Sequence, residues 1–223
     1  MKIVKASTEI LAYTPELAKI IEVAGRTAYK SGNKINDNSA DEFIKRIILD
    51  THHTVLEHGA ITVRFICDRG IAMEIIRHRL ASYTMESTRY CNYSKDKFDN
   101  QLTFILPYFW DCSENEFKDD IIPYQKRATL WSMWYGVCQR VEETYLAMLQ
   151  QGASPQEARS ILLNSLKTEI IATANPREWR HIFKLRCDPA AHPQMREVMI
   201  PLKEKFSELW PSIFGDLVSK QGE

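Results

Sequence analysis

Residues 77–89 read Arg77-His78-Arg79-Leu80-Ala81-Ser82-Tyr83-Thr84-Met85-Glu86-Ser87-Thr88-Arg89: three arginines, one histidine and two serines within thirteen residues. Cations at that density repel one another unless an anion sits among them. The planar guanidinium fork suits phosphate oxygens and the carbonyl or imide edge of a base. The segment reads as part of an anion pocket; the competing reading is a solvated charged turn whose arginines pair with Glu74 and Glu86. A second group, His52, His53, Thr54, Glu57 and His58, directly precedes an apolar alternation. That places it at a sheet end, where ligands often bind, against the plain alternative of a polar loop with surface histidines. A third group comprises Arg159, Asn175, Arg177, Arg180, His181 and Arg186. The first-turn amides after Asn175 suit an anion. Singly each of these arginines is a surface residue; with the first group they would line one anionic pocket.

The elements that must hold these groups are legible from periodicity and punctuation. Lys2 to Ala12 alternates loosely and includes a strand; Thr14-Pro15-Glu16 opens a helix, with Thr14 as its cap. Ser39-Ala40-Asp41-Glu42 is a capping box ahead of Phe43, Ile44, Ile47 and Ile48. Ile61, Val63, Phe65 and Cys67 alternate as a strand, and a helix is predicted from Ile71 to about Arg79. Residues 102–106 form a short strand. Phe117 to Gln151 is largely helical, with Trp131, Trp134, Val137, Val141 and Tyr145 as its buried stripe and Gly152 as its stop. Ser154-Pro155-Gln156-Glu157 is a second capping box, Ile170-Ile171-Ala172 a strand, Asn175-Pro176-Arg177-Glu178 another cap, and Pro193 to about Trp210 the last long helix. The sum is helix-rich with a modest sheet: α+β, one domain over 1–223, since no linker or repeat divides it.

Bulk properties narrow the partners. Among 223 residues, 29 Lys+Arg balance 29 Asp+Glu, and 44% are hydrophobic. Disorder is excluded by that composition, and a diffuse polyanion binder is disfavoured by zero net charge; a local basic pocket is not. The five cysteines, Cys67, Cys91, Cys112, Cys138 and Cys187, are odd in number and dispersed, which favours reduced thiols. The only dense histidine group has no cysteine beside it, so no metal centre is expected. No apolar run approaches the roughly 20 residues of a membrane span. The opening MKIVKASTEILAY has no signal-peptide core. A cytoplasmic protein with neither membrane nor nucleic-acid partner is expected.

The motif RHRLASYTMESTRY has the form Arg-His-Arg, seven residues, Ser, one residue, Arg. It resembles the signature of the flavin-dependent thymidylate synthases. The His-x-Thr-x-x-Glu-His pattern at 52–58 is similar to that family's second block, and the Ala-Arg at 158–159, Asn-x-Arg at 175–177 and Leu-Arg at 185–186 follow in the expected order. The likeness runs from about residue 52 to 196. It implies reductive methylation of dUMP to dTMP, with methylenetetrahydrofolate as carbon donor and FAD, reduced by NADPH, as hydride source, without an enzyme nucleophile. It further implies a twisted, largely antiparallel sheet flanked by long helices, and a homotetramer with active sites at subunit interfaces. Carried residue by residue, Thr54, Glu57, Arg77, His78, Arg79, Asn175, Arg177 and His181 would hold the flavin. Glu74, Ser87, Arg89, Arg159 and Arg186 would hold dUMP, with Glu86 beside them, and His52 would face the folate. Arg186, Arg79 and His52 stand nearest the chemistry. Three departures accompany the likeness: Thr84 and Met85 stand where Asn followed by Glu or Gln is common, His181 replaces a frequent Asn, and residues 187–193 are spaced differently, leaving His192 as the candidate for a flavin-side histidine. The alternative is a nucleotide- or RNA-binding module that keeps the arginines without flavin chemistry.

Overall fold

The computed structural model describes residues 1–110 and 124–218. Strands form at β1 Lys2–Val4, β2 Ser7–Tyr13, β3 Ile61–Asp68, β4 Ala81–Met85, β5 Thr103–Ile105 and β6 Lys167–Ala174. Helices form at α1 Leu17–Ala28, α2 Ser39–Leu49, α3 Arg69–Ile75, α4 Tyr124–Gln150, α5 Pro155–Ala158, α6 Pro176–Arg186, α7 Pro193–Leu209 and α8 Pro211–Phe214. Four strands make an antiparallel sheet in the order β2-β3-β6-β4, and β1 pairs in parallel with β5, Lys2 opposite Thr103. The architecture is α+β, as expected. The chain divides into two compact units, Met1–Ser7 with Ile66–Ile75 and Met85–Ile170, and Thr8–Phe65 with Ile76–Thr84 and Ile171–Glu223.

In the first unit, Leu102, Phe104, Cys138, Tyr145, Ala158 and Leu166 gather around Tyr93. The long helix α4 turns Cys138 and Tyr145 into this core, whereas Val137, expected in the buried stripe, is 52% exposed. Trp134, Val141 and Tyr145 lie in or against this core as expected, and Cys138 in place of Val137 gives their seam the spacing of four, three and four residues. The expected helical residues 117–123, and Cys112, lie outside the described residues. α4 ends just before Gly152, whose φ of 92° is the left-handed stop its position predicts. Ser154 and Glu157 form the anticipated reciprocal box, though the helix behind it is a single turn.

The second unit has an aromatic centre. Phe206 sits edge-on to Trp179, Phe183, Trp210 and Phe214 at 5.1–5.3 Å between ring centres. Phe65 of β3 stacks on Trp179 at 6.3 Å, and the Trp179 indole N–H donates to the Ile61 carbonyl. α6 is thereby fixed to β3. α1 packs on α2 so closely that a Cβ on Gly25 would lie 2.4 Å from the Phe43 ring.

Two predicted caps are used differently. Thr14 does not cap α1: its hydroxyl accepts the Ala60 N–H at 2.9 Å and so ties the end of β2 to the start of β3. The chain then passes through Glu16 in the left-handed region, φ 49°, before α1 begins at Leu17. Ser39 is the first residue of α2 rather than its cap; its hydroxyl accepts from the Asn36 amide and donates to the buried Glu22 carboxylate at 2.8 Å. The helix expected to reach Arg79 stops at Ile75, and residues 81–85 form β4 instead. Sheet pairing with β6 gives their backbone partners that a charged turn would leave to water.

Candidate functional site

The second unit carries one group of the predicted residues. β6 ends at Ala174 and α6 begins at Pro176, with Asn175 alone between them. The Asn175 side chain accepts the Glu178 N–H at 2.9 Å, and Pro176 supplies a helical φ with no amide to satisfy. From that start α6 presents Arg177, Glu178, His181 and Arg186. The turn at His53–Glu57 packs on α6, and Glu57 pairs with Arg177 at 2.5 Å where both are half exposed. His52 and Thr54 on that turn are exposed, as are Arg77 and Arg79. Among the described residues no acid pairs with Arg77 or Arg79.

His78 is different from its two neighbours. It is 5% exposed. Its Nε2 accepts the Arg186 Nε–H at 2.9 Å, which assigns the proton of the neutral ring to Nδ1. Nδ1 stands 3.7 Å from Oε1 of the buried Glu178, and the His78 carbonyl accepts the Tyr83 hydroxyl at 2.9 Å. His181 lies edge-on, ring centres 5.8 Å apart. Burial, then the Arg186 cation, then His181 pull the His78 pKa down to about 4. Burial raises that of Glu178. Burial, with Glu178 adding to it and Arg186 opposing, pushes Tyr83 up to about 12. His78, Glu178 and His181 offer ligand-type atoms within 4.8 Å of one another. A guanidinium already bonded to His78 opposes a dication there, so the group is read as a close-set acid, two imidazoles and a guanidinium joined by the Arg186–His78 hydrogen bond.

The first unit carries the other group. Glu86 follows β4 directly; its N–H donates to the Glu169 carbonyl at 2.9 Å and prolongs the sheet. Its carboxylate accepts from the Tyr93 hydroxyl at 2.6 Å and from Lys167 Nζ at 3.0 Å. Lys167 also reaches Glu169 at 2.7 Å. Burial works against the Lys167 charge, but Glu169 and Glu86 outweigh it and hold the ammonium pKa above its ordinary value. Ser87 opens a turn: its carbonyl accepts from the Tyr90 and Cys91 amides, and its hydroxyl from the Arg89 amide at 3.3 Å. Arg89 is exposed, its guanidinium 5.4 Å from the Tyr90 ring centre. Arg159, on the turn after α5, is exposed; Glu74, on α3, is half buried.

Sequence reasoning did not find Glu178, Tyr83, Lys167 or Tyr93. Glu178 was visible only as a first-turn acid, because a capping position does not reveal which way its side chain turns. Two suspected pocket residues are used structurally. Arg180 grips Asp216 through both terminal nitrogens, at 2.6 and 2.7 Å, and donates to the Ile213 carbonyl. His192 caps α7, Nδ1 accepting from the Gln194 amide at 3.3 Å. The described thiols are not activated: burial pushes Cys67 up to about 12 and Cys138 and Cys187 up to about 11, and it raises Cys91.

Residues 9–212 match the protein family described as thymidylate synthase complementing protein. The chain is 30% identical over 192 residues to the flavin-dependent thymidylate synthase of Pyrococcus furiosus, covering 86% of this chain and 72% of that one. The chain belongs to the flavin-dependent thymidylate synthase family. Two further synthases of that name are similar: 30% identity in Mycobacteroides abscessus, over 88% of this chain and 78% of that one, and 27% in Geobacter sulfurreducens, over 93% and 84%. Within this synthase chain the matched span takes in every predicted site residue, from His52 to Arg186. No helix among the described residues is long and apolar enough to cross a membrane.

Proposed function

We propose that the protein reductively methylates dUMP to dTMP, taking the carbon from methylenetetrahydrofolate and using FAD reduced by NADPH, without an enzyme nucleophile. The observation that carries the reading is the Arg186–His78 contact. A buried neutral imidazole accepts the Arg186 Nε–H and so fixes the orientation of the guanidinium. An oriented cation suits the uracil carbonyl, where negative charge grows as C5 acts as nucleophile, and arginine keeps its charge near pH 7.

The donor set fits a flavin dinucleotide. Arg77 and Arg79 are exposed cations without acid partners among the described residues, and cations of that kind suit a diphosphate. Thr54, Glu57, Asn175, Arg177, His78 and His181 belong to the same unit and would hold the rest of the cofactor. Bound there, the flavin supplies the hydride chemistry; the chain supplies position and field. Ser87, Arg89 and Arg159, with Glu74, would hold the nucleotide, and His52 would face the folate. The raised thiol pKa values support chemistry that needs no cysteine nucleophile. The homotetramer is supported by exposed apolar residues on α4, Met133 at 65% and Val137 at 52%.

The test is direct. Purified protein should show a flavin absorption spectrum and release tritium from C5-tritiated dUMP when NADPH and methylenetetrahydrofolate are supplied. Colourless protein that FAD does not reconstitute would overturn the reading.

A further inference from the structure

Glu86 is an unusual neighbour for an anion site. It directly precedes Ser87 and Arg89, the residues proposed to take the nucleotide phosphate, and an unpaired carboxylate there would repel that dianion. The structure resolves the conflict within the first unit. Lys167 and Glu169 lie two apart on β6, hence on one face of the strand, and β6 neighbours β4 in the sheet. Lys167 reaches both Glu86 and Glu169, and its side chain and that of Glu86 are only 20% and 13% exposed. Tyr93 takes the other oxygen of Glu86. Solvent screens a pair this enclosed less than a surface pair.

We propose that Lys167 is a positioning and specificity residue that neutralises and anchors Glu86, so that the Ser87–Arg89 turn accepts a nucleotide phosphate. The proposal rests on the functional reading above and reassigns Glu86: it shapes the turn and its field instead of touching the substrate. Two functions are combined in one ion pair. The bonds from Lys167 and Tyr93 hold the start of the turn in place, and the ammonium, shared with the more exposed Glu169, offsets the charge nearest Ser87.

The two functions predict a specific pattern of affinities. Binding of dUMP and of deoxyuridine, which lacks the phosphate, would be measured by calorimetry for wild type, Lys167→Met, Lys167→Arg and the double variant Glu86→Gln/Lys167→Met, with thermal melting alongside. Lys167→Met exposes the Glu86 charge and should weaken dUMP on the order of tenfold while moving deoxyuridine little. Lys167→Arg keeps the charge and should keep dUMP affinity. The double variant removes both charges and should recover most of the loss. Equal dUMP affinity in wild type and a folded Lys167→Met protein would overturn the proposal. So would a double variant as weak as the single one, which would make Lys167 itself the phosphate ligand. Wild-type protein that binds no dUMP would overturn the functional reading, and this proposal with it.

Discussion

The neutral state of His78 has a measurable consequence for stability. An ordinary imidazole titrates near 6.5; in the folded protein burial, Arg186 and His181 lower His78 to about 4. Between those values the unfolded chain takes a proton that the folded one refuses, so stability is complete above about pH 6.5, falls as pH drops, and stops falling from this cause below about pH 4. The full gap corresponds to about 3 kcal/mol, and about 2 kcal/mol of it is lost by pH 5. Glu178, His181 and Arg186 are charged and titratable groups beside the ring, and the Tyr83 hydroxyl bonds the His78 carbonyl. Urea unfolding of wild type and His78→Gln, compared at pH 7.5 and pH 5 under the same ligand conditions, isolates the effect. The glutamine still offers Arg186 an acceptor but takes up no proton, so its loss over that interval should be smaller by about 2 kcal/mol. Titrating groups away from the ring are common to both proteins and cancel. If the two lose stability equally, the buried imidazole is not held neutral, and the assignment of Nε2 as acceptor fails with it.

Further outcomes follow from single contacts. Arg186→Ala should weaken dUMP by about tenfold to a hundredfold, the scale of a lost charge-assisted bond; unchanged affinity in calorimetry would remove Arg186 from the nucleotide site. His52→Ala should slow turnover while leaving dUMP affinity within about twofold of wild type, since the proposed function sets His52 against the folate and not the nucleotide; a large loss of dUMP affinity contradicts its folate-side placement. Asn175→Ala removes the α6 cap and should cost about 1 kcal/mol in denaturant unfolding. Gly25→Ala forces a methyl against the Phe43 ring and should cost about 1–3 kcal/mol; wild-type stability would mean that α1 and α2 separate easily.

Much of this could be read from sequence because local rules and tertiary structure agreed. The alternation from Ile61 to Cys67 is β3, the Asn-Pro pair starts α6, and Gly152 ends α4. Two of the failures share a cause: a polar side chain took a distant partner in place of the local one. Thr14 could cap α1 but bonds Ala60, and Ser39 could cap α2 but bonds Glu22. β4 was hidden because its pairing partner lies some eighty residues away on β6. The arginines of the site were legible by type and spacing, while the groups that organise them were not. Glu178 and Lys167 look like ordinary charged residues until the fold buries them beside His78 and Glu86.

The junction between β6 and α6 has no slack. A single residue, Asn175, separates strand from helix, and the aromatic contacts of Trp179 and Phe183 fix the helix against its surroundings. Inserting one residue into the first turn of α6 would turn the residues beyond it, His181 and Arg186 among them, by about 100° relative to Asn175, a change no side-chain rotamer can reverse. Insertions and deletions among descendants of this sequence should therefore avoid 174–186 and collect in the irregular stretch 187–192, between Arg186 and the cap of α7. Chain length near the site is free to drift only after its last arginine has been placed.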